Sequence, residues 1–354
     1  MQPEAKRYFC TYFDHNYLTR GLACYYSLLK HSPSAHFFIL CLDEQCLEAL
    51  RKLNLPQASI IGRGELEAAF PQLLAAKPTR SILEYYLSMT PFLPLHVLRQ
   101  HPEIELLTYI DADLFFFQSP EPLFTQLGNG SISIIQHNFV PHLAHFNKYG
   151  IYNVGWVSFR HDANALACLQ WWADRCVEWC YIRYEAGKFA DQRYLDSWPH
   201  QFKGVVVLNH KGANLAPWNV GRYTVRSEHG QTKVDDAPLI FYHFHGLKHL
   251  AGHYYHHGLT DYGYQPSGAF MQAIYSPYFA ALAEAVQIAL DHQVTPVGRD
   301  SLFLSRAPEP HMKGPEPIPG FLRRWKRSVS NYCGFRAGRA VVFREAALHF
   351  NQQA

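Results

Sequence analysis

No run of about 18 uninterrupted apolar residues occurs anywhere in the 354-residue sequence, so no bilayer span is expected. The amino-terminal stretch MQPEAKRYFCTYF lacks both an apolar core region and a small-residue cleavage site, which argues against a secretory leader. A strong charge of either sign is also missing. The formal net charge is +3, so the chain as a whole is not built to bind a polyanion, and nucleic acid is not an expected partner. No Cys-x-x-Cys pair occurs. Cys10, Cys24, Cys41, Cys46, Cys168, Cys176, Cys180 and Cys333 are scattered through apolar patterns, as expected of reduced core residues in a cytoplasmic protein. Internal repeats are absent as well.

What is present is a large core and an excess of rings. Hydrophobic residues make up 48% and aromatics 15% of the chain, enough for a sizeable globular unit whose Tyr and Trp side chains also suit flat or sugar-like ligands. Strand patterns at 7–13, 36–42 and 58–61 alternate with helical patterns at 17–31 and 44–53, which predicts an α/β fold with a parallel sheet flanked by helices. A helical stretch follows over 81–99. Further strands are expected around the acids at 111 and 113, at 131–135, 152–160 and 205–208, and over PLIFYHFHG ending at Gly246, with a Trp-rich helix at 164–187. The organisation reads as one domain over 1–295, a Pro-rich linker over 296–320 and a basic, aromatic helical tail over 321–354.

LLTYIDADLFFF drives an apolar run into Asp111 and Asp113. On a strand, residues two apart share a face, so these carboxylates would lie side by side with Ala112 opposite. Paired carboxylates repel, and a divalent cation such as Mn²⁺ or Mg²⁺, completed by substrate phosphates, relieves the repulsion. The alternative is a strand that has already ended, its acids solvated or capping the next turn. Far downstream, His243 and His245 share a face just before Gly246 and Lys248, which adds an imidazole ligand for a Mn²⁺-type metal and a cation for phosphate.

In this order the motifs resemble those of retaining GT-A-fold glycosyltransferases of family 8, the group of glycogenin and bacterial lipopolysaccharide galactosyltransferases. The resemblance runs through most of 7–250. It implies that Thr11 and Tyr17, in TYFDHNYLTRGLACYYSLLKH, contact or stack on the nucleoside base. It implies that Asp111, Ala112 and Asp113 form the Asp-x-Asp site, with Asp111, Asp113 and His243 as metal ligands. It places Asn153, of Asn153-Val154-Gly155, near the donor sugar. Asp191 would bind donor-sugar hydroxyls and Gln192 would lie beneath the anomeric carbon, although Asp191 also reads as a helix N-cap. Pro217-Trp218-Asn219 would line the acceptor side, and Gly246 with Lys248 would meet the diphosphate.

The chain departs from the family pattern in two places. Lys248 comes one residue early and lacks a following Pro-Trp, and Tyr85-Tyr86-Leu87-Ser88 lacks the family's arginine, for which Arg80 is the substitute candidate. The expected activity is metal-dependent transfer of a hexose from a nucleotide-diphosphate sugar, a UDP-sugar, to a hydroxyl of a glycan or glycolipid acceptor, with retention. The basic tail adds an expected anionic membrane surface at the inner face of the membrane. Two other readings remain: an Asp-x-Asp Mg²⁺-dependent phosphatase, and a non-catalytic nucleotide-sugar-binding module.

Overall fold

A computed structural model describes residues 6–251 and 254–295, together with a two-residue strand, Val341–Val342, paired with Tyr254–Tyr255. Apart from that strand, the linker and tail expected over 296–354 lie outside the described residues. The chain opens with β1 (Tyr8–Phe13), α1 (Leu18–His31), β2 (His36–Cys41), α2 (Glu44–Leu53) and β3 (Ala58–Gly62). Asp43 starts α2 by accepting from the backbone N–H of Cys46, and Asn54 ends it in the left-handed region at φ 45°.

Short helices α3 (Arg63–Ala69) and α4 (Pro71–Ala76) lead to α5 (Ile82–Met89), which begins with a Ser81–Glu84 capping box, and α6 (Phe92–Gln100). The single helical stretch expected over 81–99 is therefore two helices, interrupted at Thr90-Pro91. Next come β4 (Leu106–Ile110), β5 (Leu114–Phe116), α7 (Glu121–Leu127), β6 (Ile132–Gln136), β7 (Tyr152–Arg160), α8 (Ala163–Glu178) and β8 (Val205–Leu208).

The central sheet has seven strands in the order β3-β2-β1-β4-β7-β6-β8, and β7 alone runs antiparallel to its neighbours. Alternate side chains supply two cores. Cys10, Phe38 and Leu40 pack with α3–α6 and α8 on one face, while Phe9, Phe37 and Ile39 pack with α1, α2 and α7 on the other. The expected α/β fold, a central and mostly parallel sheet flanked by helices, is the fold observed. Seven cysteines among the described residues are buried and free, as expected of core thiols.

Strand order reverses between β1 and β4: β2 and β3 continue on one side of this pair, β7, β6 and β8 on the other. In open α/β sheets ligands bind outside the carboxyl ends of strands at such a switch point. The turns leaving β1 and β4 carry Asp14–Tyr17 and Asp111–Asp113. α1 lies close on β1 because residue 21 is glycine: a Cβ there would come within 2.4 Å of the Phe13 ring.

Three expectations need correction. The strand ends at Ile110, and Asp111–Asp113 form a turn in which Leu114 N–H donates to Asp111 O at 3.3 Å, so the acids are not alternate residues of one strand. The Trp-rich helix stops at Glu178. Its last carbonyls are taken by side chains, Arg80 Nη2 donating to Val177 O at 2.9 Å and Tyr194 Oη to Trp179 O at 2.7 Å, and the chain leaves in an extended conformation. The late strand is short as well. After a hairpin of β9 (Val225–Glu228), β10 (Gln231–Val234) and β11 (Ala237–Pro238), only Phe241–His243 forms β12, which pairs antiparallel with β5. A helical segment spanning Gly268–Asp291 is long and apolar enough by composition to cross a membrane. One of its faces, including Tyr278, Leu282, Ala285 and Ala289, is buried, and its Ser276–Asp291 part packs along α1.

Candidate active site

β5 and β12 bring the distant motifs together. Their register sets His243 opposite Leu114, and Phe244 N–H donates to Asp113 O at 2.9 Å. His243 Nε2 consequently lies 3.0 Å from Asp113 Oδ1 and 3.7 Å from Asp111 Oδ2. Asp111 is held from behind by the Tyr109 hydroxyl, which donates to Oδ1 at 2.9 Å, and its side chain stays 30% exposed, open to the cleft. The acids are thus neither in a strand nor freely solvated. Ala112 packs into the core beneath the turn.

The imidazole is fixed on every side. The backbone N–H of His243 donates to Leu215 O at 2.8 Å, anchoring the main chain, and the Trp218 ring meets the His243 and His245 rings edge-on at 5.1 and 5.4 Å. Gly155 lies beneath it, where a Cβ would come within 2.9 Å of His243 Cε1. Asn153 turns its side chain back onto the same strand: Oδ1 accepts from Gly155 N–H at 3.0 Å, and Nδ2 meets His137 Nε2 at 3.3 Å. Burial lowers the His137 pKa to about 3, so this ring is neutral. Asn219 braces the loop, donating to the His137 and Asn214 carbonyls.

Burial opposes charge on His243, but the charge and hydrogen bond of Asp113, with the charge of Asp111, outweigh it and hold its pKa above the ordinary histidine value. For Asp113 burial is again overcome, by His243, His245 and Arg20, and its carboxyl is held low. Burial and the Asp113 charge push Asp111 up, against His243 and the Tyr109 hydrogen bond.

Ligand atoms of Asp113, His243 and His245 all lie within 4.8 Å of one another. Carboxylate oxygens beside imidazoles suit a divalent metal, and His243 Nδ1 is buried without a hydrogen-bond partner. These residues fit an ion; His245, exposed to the cleft, is a candidate ligand that the sequence motif did not single out.

A second group adjoins the acids. Asp191 is buried, and burial together with the Asp111 charge raises its pKa to about 7 despite a hydrogen bond with Thr90. Thr90 Oγ1 is 3.0 Å from Tyr12 Oη, and the Tyr12 ring lies 5.8 Å from that of Tyr109, whose hydroxyl donates to Asp111. Asp191 does precede the short helix Gln192–Ser197, but its side chain makes no capping hydrogen bond. Gln192 Nε2 donates to Tyr149 O at 3.2 Å.

The remaining candidates are dispersed around this centre. Thr11 is buried in β1 with Oγ1 unpartnered, and Tyr17 is half-buried where α1 begins. Asp14 caps that turn by accepting from the N–H groups of Asn16 and Tyr17. Gly246 turns the chain at φ 76°, and Lys248 Nζ lies 3.5 Å from Asp261 Oδ2. Arg80 is committed elsewhere, capping α8 and lying 4.0 Å from the Tyr181 ring centroid.

No family model matches the chain. Solved structures similar to it include the galactosyltransferase LgtC in complex with donor and acceptor sugar analogues, at 19% identity and TM-score 0.45, covering 68% of this chain and 87% of that one. Mouse xyloside xylosyltransferase 1 in its apo form is another, at 15% identity and TM-score 0.42, covering 68% and 98%. Among curated proteins of Bacillus subtilis strain 168, the uncharacterized protein YfnD is 31% identical over 243 residues, covering 68% of this chain and 78% of YfnD. The uncharacterized protein YfnF is 36% identical over 250 residues, covering 68% of this chain and 81% of YfnF. With identity at that level over most of both sequences, the chain belongs to the family of YfnF and YfnD.

Proposed function

We propose that the chain is a metal-dependent GT-A glycosyltransferase that moves a hexose from a UDP-sugar to a hydroxyl of a glycan or glycolipid, with retention at the anomeric carbon. The observation that carries this reading is the convergence of Asp111, Asp113 and His243 beside Asp191-Gln192, at the switch point of the sheet.

Asp111, Asp113 and His243 would hold Mn²⁺ or Mg²⁺, with His245 as a further ligand within reach. The ion would supply Lewis-acid stabilisation of the departing diphosphate. Thr11 and Tyr17 border the base, Gly246 and Lys248 the phosphates, and Asn153 orders the strand facing the sugar. Asp191 takes donor-sugar hydroxyls. Gln192 lies beneath the anomeric carbon. No carboxylate is assigned there as a covalent nucleophile, so the acceptor hydroxyl attacks on the face the diphosphate leaves, and its proton passes to the leaving phosphate. Arg80 braces α8 rather than the phosphates.

The phosphatase reading has less support. Phe115 stands where such enzymes need a small Thr or Val, and that chemistry gives no role to His243. We place the enzyme in the cytoplasm, with residues 321–354 holding it at an anionic membrane surface; vesicle binding that survives deletion of that tail would exclude this anchoring role.

A thermal-shift screen of nucleotide sugars with Mn²⁺ tests donor and metal together. Stabilisation by a UDP-sugar only when the ion is present supports the proposal, and none by any nucleotide sugar rejects it. Proton NMR of a fresh reaction reads the product anomer, and an inverted linkage rejects retention.

A further inference from the structure

The short helix Gln192–Ser197 is tied at two points to the turn that leads into β7. Gln192 Nε2 donates to Tyr149 O at 3.2 Å, and four residues on, Asp196 Oδ1 accepts from the Ile151 N–H at 2.9 Å. Gly150 lies between these two bonds at φ 138°, where a Cβ would come within 2.9 Å of Gln192 Cγ. The other end of Ile151 is taken as well. Its carbonyl accepts from the His137 backbone N–H at 2.9 Å and lies 3.2 Å from Nδ1 of that ring.

A glycine at positive φ puts little restraint of its own on the chain, so the place of Tyr149 O depends on what pins the residues beside it. Asp196 supplies the pin. Its side chain is 12% exposed and paired with Arg193 on the same helix, so the carboxylate is held in place where the Ile151 N–H meets it. A carboxylate accepting from a backbone N–H makes a stronger bond than a neutral acceptor does. Because Gln192 Nε2 is bound to Tyr149 O, the amide turns with the loop.

We propose that Asp196 is a positioning residue for the transfer step: by pinning Ile151 N–H it fixes Tyr149 O, and through it the amide of Gln192 beneath the reacting carbon. This rests on the reading of Gln192 given above. Asp196 is assigned no contact with donor or metal, so its loss should cost turnover rather than nucleotide affinity.

A double-mutant cycle of Asp196→Ala with Gln192→Ala tests the role, reading UDP released from UDP-glucose, UDP-galactose and UDP-N-acetylglucosamine with Mn²⁺ present. Asp196→Ala alone should lower kcat by about thirtyfold and change UDP affinity by less than about threefold. In the Gln192→Ala background the same substitution should lower kcat by less than about threefold, because the side chain it acts through is gone. Asp196→Asn, whose Oδ1 can still accept from Ile151, should keep turnover within about threefold of the wild type. Asp196→Glu keeps the charge but shifts it by one methylene, and it serves if the alanine variant does not fold. It should lower kcat by about tenfold with Gln192 present and by less than about twofold without it. Full additivity in the cycle would show that Asp196 only supports the fold, and unchanged kcat in Asp196→Ala would also overturn the assignment. If the wild type releases UDP from none of these sugar nucleotides, the reading of Gln192 itself falls, an outcome distinct from both.

Discussion

His243 Nε2 and Asp113 Oδ1 are 3.0 Å apart, although they come from opposite halves of the chain, and the pairing of β5 with β12 sets that distance. The pair is neutralised internally while no metal is bound. A divalent cation replaces the shared proton, so binding should release protons and strengthen as pH rises.

Asp113→Ala should abolish stabilisation by Mn²⁺ with UDP and lower transfer by at least about a hundredfold, as expected when electrostatic stabilisation of a leaving group is lost. EDTA should act on the wild type in the same way. Full activity in EDTA would remove the metal from the proposal.

Gly155→Ala tests the placement of His243 without touching a ligand. The new methyl would overlap Asn153 Oδ1 at 2.6 Å and the imidazole at 2.9 Å, so both side chains must shift, at a cost of about 1–3 kcal/mol. We expect a lower melting temperature and weaker Mn²⁺ affinity together. Unchanged metal affinity in calorimetry would mean that the ring position does not matter.

Gln192→Ala should slow turnover far more than it weakens UDP binding, because the side chain faces the reacting carbon rather than the nucleotide in this reading. A kcat lowered by about a hundredfold with near-constant UDP affinity is the expected split. Loss of UDP binding instead would move Gln192 into the nucleotide site.

Asp191 links function to stability. Its folded pKa of about 7 lies above that of an exposed carboxylate, so between about pH 4 and 7 the folded protein keeps a proton that the unfolded chain has released. Stability therefore falls as pH rises through that window. Asp191→Asn removes the charge, and in metal-free urea titrations it should be more stable than the wild type at pH 8 by an amount on the order of 1–4 kcal/mol, with the gap closing towards pH 4. Transfer activity should fall at the same time. A variant equally destabilised at both pH values would contradict this.

Much of the scaffold was legible because its signals are local. Alternating and helical apolar spacing marked β1 to β3, α1 and α2, and Asp111, Asp113 and His243 stood out as acids and an imidazole in apolar runs. What escaped depends on tertiary partners. The end of α8 is set by Arg80 and Tyr194, neither of which is on that helix, so Trp179 and the residues after it read as helical. The Tyr12–Thr90 contact joins residues from distant parts of the chain whose spacing carries no period. Arg20 gives no signal of burial in the sequence; its burial follows from packing, with Leu247 O accepting from its guanidinium.

The late arrival of β12 also matters during synthesis. Until Phe241 leaves the ribosome, Phe116 has no cross-strand partner and Trp156 lacks the ring stacked on it at 5.6 Å. A nascent chain stopped before that point would carry an open strand edge and bare aromatic surface, the features that recruit chaperones or lead to aggregation. Truncations ending between β8 and β12 should therefore be insoluble, even though they retain every strand of the central sheet.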